Sequence, residues 1–169
     1  MGYTLRRYGS GQGAILADFV VPIAIRTYAT WVDSGSARAW ARAEHGAEAW
    51  TARVEDPATH VLVCERPDTS IAACAFVRIA YETAHFGGLY VEDRGCGLGS
   101  RLRDERLRIG LEAGARTAVM RIRETNELAR QLAEKAGFEI IGTDPCTRLS
   151  AVPRLLYSKE LSVPVLQAV

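Results

Sequence analysis

The strongest constraint on how this chain folds is VEDRGCGLGSRL, residues 91–102, in which Gly95, Gly97 and Gly99 fall within five residues. The apolar stretch GGLYV runs into it and a charged, leucine-containing stretch follows, so the glycines occupy a strand-to-helix junction. The first N–H groups of a helix have no intrahelical acceptor. With the helix dipole they form an anion site suited to phosphate or pyrophosphate. A Cβ on the approach would hold such a ligand off, which gives glycine its place there.

The elements around the loop narrow the fold. Residues 3–8 read as a first strand closed by GSGQG. Residues 14–31 read as a helix that Pro22 kinks or divides. Asp33, Ser34 and Ser36 offer a helix start, and ARAWARAEHGAEAW continues it with alanine-rich propensity. The period then changes. HVLVCE (60–65) and SIAACAFVRIAY (70–81) read as a hairpin, and HFGGLYV (85–91) as a third strand leading into the loop. A helix from Gly97 to about Ala113, a strand at 116–122, a helix from Asn126 to Ala136 and strands at 138–143 and 155–161 complete the order. An antiparallel meander followed by a strand–helix–strand unit predicts a mixed, mostly antiparallel sheet of about seven strands with about four helices.

At 169 residues, with no repeat and no low-complexity linker, the chain reads as a single domain over residues 1–169. A net charge of +1 gives no global field towards nucleic acid or a membrane surface, so neither is expected as a partner. Cys64, Cys74, Cys96 and Cys146 are scattered and the three histidines do not cluster with them, so no metal site is expected. Reduced thiols and a start, MGYTLRRYGS, without an apolar signal core together predict a cytoplasmic protein. Arg6 also breaks the myristoylation pattern, and AILADFVVPIAI is too short to span a bilayer.

Three anion-binding loops compete. A P-loop requires Gly-Lys-Ser/Thr, and this stretch has no lysine. A dinucleotide loop requires G-x-G-x-x-G after the first strand of a βαβ unit. Here the spacing is G-x-G-x-G, Ser100 stands at the third glycine site and a β-meander precedes. Arg94-Gly95-Cys96-Gly97-Leu98-Gly99, by contrast, matches R/Q-x-x-G-x-G/A, and NELARQLAEKAGFEIIG supplies an asparagine-led helix ending in a Lys-x-Gly-Phe turn. Together these segments resemble the GNAT family of N-acetyltransferases, in the family's order and spacing.

The resemblance implies the GNAT-like (acyl-CoA N-acyltransferase) α/β fold and acetyl-CoA as cosubstrate. It implies that the backbone N–H groups of Gly95, Cys96, Gly97, Leu98, Gly99 and Ser100 hold the pyrophosphate, with Arg94 as a phosphate partner and the Ser100 hydroxyl as a further donor. Leu89, Tyr90 and Val91 correspond to the strand that offers backbone groups to the pantetheine arm and an N–H to the oxyanion. Asn126 matches a residue that contacts the arm, and is equally a plain helix N-cap. Acyl transfer also needs a base, because an aliphatic amine is protonated at neutral pH. His85 stands where the family often has a glutamate, with Glu82 and Glu124 as weaker candidates.

One position departs. The family's leaving-group acid, a tyrosine seven residues after the asparagine, is Ala133 here. Tyr90, Tyr157, water or unaided departure of the thiolate remain as alternatives, the last because a thiol of pKa ~8.5 leaves well. The expected activity is direct acetyl transfer to a primary amine of a small molecule or peptide, since no serine or cysteine nucleophile has an evident base. A non-catalytic acyl-CoA sensor of the same fold is the alternative. Trp31, Trp40 and Trp50 read as packing rather than pocket residues. On the helix from Gly97, Leu98, Leu102, Ile109 and Ala113 share one face. Leu107 and Leu111 lie nearly opposite, which leaves their cover open between the chain's own connection and a homodimer partner.

Overall fold

The computed structural model describes residues 2–144 and 152–161; Pro145 and Cys146 lie outside them. In chain order the described elements are β1 (Thr4–Tyr8), α1 (Gly13–Tyr28), α2 (Ser34–His45), α3 (Ala47–Glu55), β2 (Thr59–Glu65), β3 (Ile71–Ala80), β4 (Thr83–Val91), α4 (Leu98–Glu112), β5 (Thr117–Arg123), α5 (Glu127–Lys135), β6 (Glu139–Asp144) and β7 (Arg154–Glu160). The strands form one sheet in the order β1-β2-β3-β4-β5-β7-β6. All neighbours run antiparallel except β4 and β5, which pair in parallel across the α4 crossover.

Local chemistry accounts for most element boundaries. Asp33 caps α2, accepting from the backbone N–H of Gly35 and Ser36, both at 2.9 Å. The Ser36 hydroxyl donates to it as well, and that bond first, with the backbone bonds, favours the carboxylate and holds its pKa below the ordinary value. Pro22 sits inside α1, which runs through it as a single helix. The alanine-rich segment predicted as one helix is two. The chain turns extended at Gly46, which ends α2 and begins α3.

The sheet separates two cores because its strands alternate in orientation. On one side Val61, Val63 and Cys74 face α1, α2 and α3, where Leu16, Val20, Trp40 and Trp50 are fully buried. On the other, Leu62, Cys64, Ala84, Phe86 and Ala118 face α4 and α5. Trp31 packs, partly buried, against the first core, so all three tryptophans serve packing. Leu107 packs against the second core within the chain, and Leu111 is half-buried. No described helix is long and apolar enough to cross a membrane.

Two features of β4 shape the molecule's centre. Pairing with β5 stops at Phe86↔Met120, although β4 continues to Val91 and β5 to Arg123. The two strands therefore diverge into a wedge whose apex lies at Phe86 and Gly87. On its other edge β4 carries a bulge: Phe76 pairs Gly87 but Cys74 pairs Tyr90, so β4 holds one residue more than β3. The extra residue puts Tyr90 on the same face as His85. A Cβ on Gly87 would lie 2.1 Å from the Phe76 ring, so only glycine fits under that ring.

Candidate active site

The wedge opens towards the glycine loop. Gly95 and Gly97 adopt φ of +78° and +73°, with nothing within 4 Å of a Cβ built on either. Their backbone, rather than crowding, calls for glycine. Gly97 is the left-handed N-cap of α4, and the N–H of Arg101 donates to its carbonyl at 3.0 Å. The amides of Leu98, Gly99 and Ser100 precede that first bond and have no helical acceptor. The loop is held from behind by Asp93, which takes a two-pronged bond from Arg66 (2.9 and 2.6 Å) and one from the Tyr3 hydroxyl (2.9 Å). Arg94, Cys96 and Ser100 are exposed at its surface.

Backbone alternation assigns the wedge lining. The N–H of Glu92 donates to Ala72 O on β3 at 2.9 Å. Tyr90, two residues earlier, therefore turns its own backbone groups to β3, while Val91 between them turns its own towards the wedge. The side chains of Leu89 and Val91 lean on α4 beside Gly99.

The side chain of Tyr90 points to the opposite face and enters a polar cluster that joins β4 to α1 and α2. Its hydroxyl lies 2.7 Å from His45 Nε2, and the Tyr28 hydroxyl lies 2.8 Å from the same nitrogen. An unprotonated Nε2 accepts from one of these hydroxyls at a time, which leaves the other's proton for a second acceptor. Burial agrees, pushing the His45 pKa down to about 3, and nearby Arg53 adds to it. Tyr28 continues the chain to Glu44 Oε2 at 3.4 Å, a long contact. Burial raises both tyrosines, Tyr28 to about 12 and Tyr90 well above its ordinary value. Around them the Arg53 guanidinium stacks on Trp50 and Phe76, 5.0 and 5.2 Å from the ring centroids. Arg123 lies 4.1 Å over Trp40.

His85 sits at the closed end of the wedge, opposite Arg78 on β3 and on the α1–α3 face. Burial, then Arg121 and Arg78, lowers its pKa, so it is an unprotonated imidazole at neutral pH. Glu82 lies at the β3–β4 hairpin tip in an exposed pair with Arg116 (3.3 Å). Glu124 follows β5, where its carbonyl accepts from Arg130. Asn126 is the N-cap of α5, its Oδ1 accepting from Ala129 N at 3.2 Å. Ala133 is buried in the α4–α5 core, and Tyr157 is buried beside it with its hydroxyl donating to Glu134 (2.9 Å).

Sequence reasoning missed two central residues. His45 has no local signature; it meets Tyr28 and Tyr90 only through tertiary packing. Arg106 did leave a signal, because the helical period sets it on the face of Leu98, Leu102 and Ile109, where a charge is unexpected. It is 4% exposed in the structure.

Comparison with known proteins agrees with this architecture. The PaiA N-acetyltransferase of Thermoplasma acidophilum, solved in complex with coenzyme A, superposes with a TM-score of 0.80 at 15% identity, covering 95% of this chain and 99% of that one. The ribosomal-protein-S18-alanine N-acetyltransferase of Escherichia coli gives 0.71 at 15% identity, covering 99% of each chain. A GNAT-family acetyltransferase of Staphylococcus aureus gives 0.74 at 12% identity, covering 95% and 100%. Among curated proteins none matches the sequence significantly. Residues 23–138, more than half of the 169, match the model described as the Acetyltransferase (GNAT) family, and the chain belongs to that family.

Proposed function

We propose that the protein transfers an acetyl group from acetyl-CoA to a primary amine by direct attack. The observation that carries this reading is the wedge between β4 and β5, open at the end where the free amides of Leu98, Gly99 and Ser100 begin α4. A pyrophosphate at those amides, with Gly95, Cys96 and Gly97 in the approach and Arg94 beside it, would send the pantetheine arm along Leu89 and Val91. The bound coenzyme A of the Thermoplasma protein supports the same choice of cosubstrate. Asn126, at the start of α5, keeps its side-chain amide for the arm while Oδ1 caps the helix.

The acceptor then approaches from the α1–α3 face, where His85 and the Tyr90 cluster stand. His85, unprotonated at neutral pH, takes the amine's proton directly or through water. The nitrogen attacks the thioester carbonyl and the oxyanion is met by a main-chain N–H of β4, among which that of Val91 is turned to the wedge. The C–S bond breaks and CoA leaves as thiolate. Calorimetric titration with acetyl-CoA, with NADH as control, tests the cosubstrate; a screen of amines for CoA release tests the transfer. Saturable heat with NADH and none with acetyl-CoA would overturn the reading.

A second reading rests on Ala133. With no hydroxyl at that buried position, a domain that binds acyl-CoA without turnover is the alternative. Binding without CoA release from any amine would favour it.

A further inference from the structure

Arg106 is a cation on the buried face of α4 with no acid to answer it. Its Nε lies 3.3 Å from Leu102 O, its Nη1 3.4 Å from Gly87 O, and its guanidinium carbon 4.4 Å over the Phe86 ring. Among the described residues no carboxylate comes within 4 Å of it. Two long bonds to carbonyls are poor return for removing a guanidinium from water. Burial pushes its pKa down to about 9, with Arg103 acting in the same direction, so it still carries its charge at neutral pH. Phe86 is the last residue of β4 paired to β5 and Gly87 the first that is not. The guanidinium therefore lies beside β4 at the level where its pairing with β5 ends.

Helix α4 runs back along β4, with Gly99 beside Leu89 and Val91, Arg106 at Phe86 and Gly87, and Gly110 against Ala84. From Leu98 to Arg106 the helix rises about 12 Å, within the reach of a pantetheine arm laid from the loop to the apex. On the acetyl-CoA reading proposed above, on which this inference rests, the thioester sulfur arrives at the level of the Arg106 guanidinium. We infer that Arg106 is the group that receives the negative charge developing on the leaving sulfur, in place of the acid absent at Ala133. As the N–C bond forms and the C–S bond breaks, the electron pair stays on sulfur as thiolate in the field of Arg106. Arg106 keeps its protons, the amine's proton goes to the base, and the thiolate is protonated by solvent after release.

The other charged and titratable groups around the apex are few. Arg103 on α4 adds to the positive field, and Cys74 on β3, whose side chain lies on the sheet's other face, is near enough to act on it electrostatically and is a neutral thiol whose pKa burial raises. Tyr90 on β4 is held by His45. From the β7 side Lys159 lies 5.9 Å from the ring of Phe138, itself packed on Phe86, while Tyr157 is engaged with Glu134.

The test compares CoA with desulfo-CoA, which share everything but the thiol, by calorimetric titration between about pH 6 and 9, around the free thiol's pKa of ~8.5. A cation beside the sulfur lowers the bound thiol's pKa by about 1 to 3 units. The ratio of the two affinities should then rise about tenfold or more across that range. In Arg106→Met the ratio should stay flat; in Arg106→Lys it should rise less than in the wild type. A flat ratio in the wild type, or an undiminished rise in either variant, overturns the inference, and the wild-type and lysine curves decide it if the methionine variant does not fold. A merely structural Arg106 would weaken both ligands alike and leave the ratio unmoved. Failure of both ligands to bind wild-type protein would remove the acetyl-CoA reading itself, and this inference with it.

Discussion

The hydroxyl of Tyr90 lies 2.7 Å from Nε2 of His45, and Tyr28 reaches the same nitrogen from α1 at 2.8 Å. One buried acceptor thus joins three elements: α1, α2 and the strand that lines the wedge. Either hydroxyl alone leaves Nε2 satisfied, whereas loss of both leaves a buried nitrogen without a partner. Tyr28→Phe and Tyr90→Phe should each cost about 0.5 to 1 kcal/mol, and the double variant more than their sum, because an orphaned buried acceptor costs about 1 to 3 kcal/mol. Urea unfolding of the four proteins measures this; additive losses would show that the two hydroxyls act independently.

The same burial makes His45 an acid-sensitive element. The unfolded chain takes up a proton near pH ~6.5, whereas the folded ring resists it until about 3. Between those values the unfolded state binds more protons, so the stabilisation is present above 6.5 and lost as pH falls. From pH 7 to 5 the wild type should lose about 2 kcal/mol more than His45→Gln. His85 shifts in the same direction but is present in both proteins and cancels. Denaturant midpoints at the two pH values provide the check, and parallel losses would mean that His45 is open to protonation in the folded state.

What the sequence disclosed follows from how far its signals reach along the chain. The strand at 85–91, the glycine loop and α4 were legible because a period change, three glycines and a helix start all lie within about one turn of each other. The end of α5 at Ala136 was legible from Gly137 for the same reason. The break at Gly46 was hidden by strong helical propensity on both sides. The β4 bulge was hidden because its cause, the Phe76 ring over Gly87, stands on the neighbouring strand. His85 and the loop were candidates because they fall at positions of the family's pattern. His45 was not, since its partners are 17 and 45 residues away.

Two glycines of the loop should respond oppositely to alanine. Gly97 is left-handed at φ +73°, so Gly97→Ala strains the backbone and should cost about 1 kcal/mol or more. Tilting the N-terminal amides of α4 should also weaken CoA binding about tenfold or more. Gly99 lies inside the helix, where a Cβ meets Leu89 and Val91 at ordinary contact distances of 3.8 and 3.9 Å. Gly99→Ala should stabilise the fold by about 0.5 to 1 kcal/mol and leave CoA affinity intact. Thermal unfolding and CoA titration of both variants separate a conformational role from a steric one. If Gly99→Ala abolishes binding while Gly97→Ala spares it, the loop does not present its amides as described.

His85 faces the α1–α3 side at the closed end of the wedge, and its imidazole is unprotonated at neutral pH because burial and two arginines disfavour its cationic form. A base in that state works without first losing a proton. With an amine identified by CoA release, the acid limb of kcat/KM in the wild type should therefore fall below the ordinary histidine value of about 6.5. His85→Gln should lower kcat by about 10²-fold or more and remove that limb, while acetyl-CoA affinity stays unchanged because the side chain faces away from α4. Rate profiles against pH for the two proteins, with calorimetry for the cosubstrate, read both effects. A glutamine variant that keeps the wild-type profile would move the proton's path to the Tyr90–His45–Tyr28 chain. The double variant Tyr28→Phe/Tyr90→Phe should then carry the loss of rate that His85→Gln lacks.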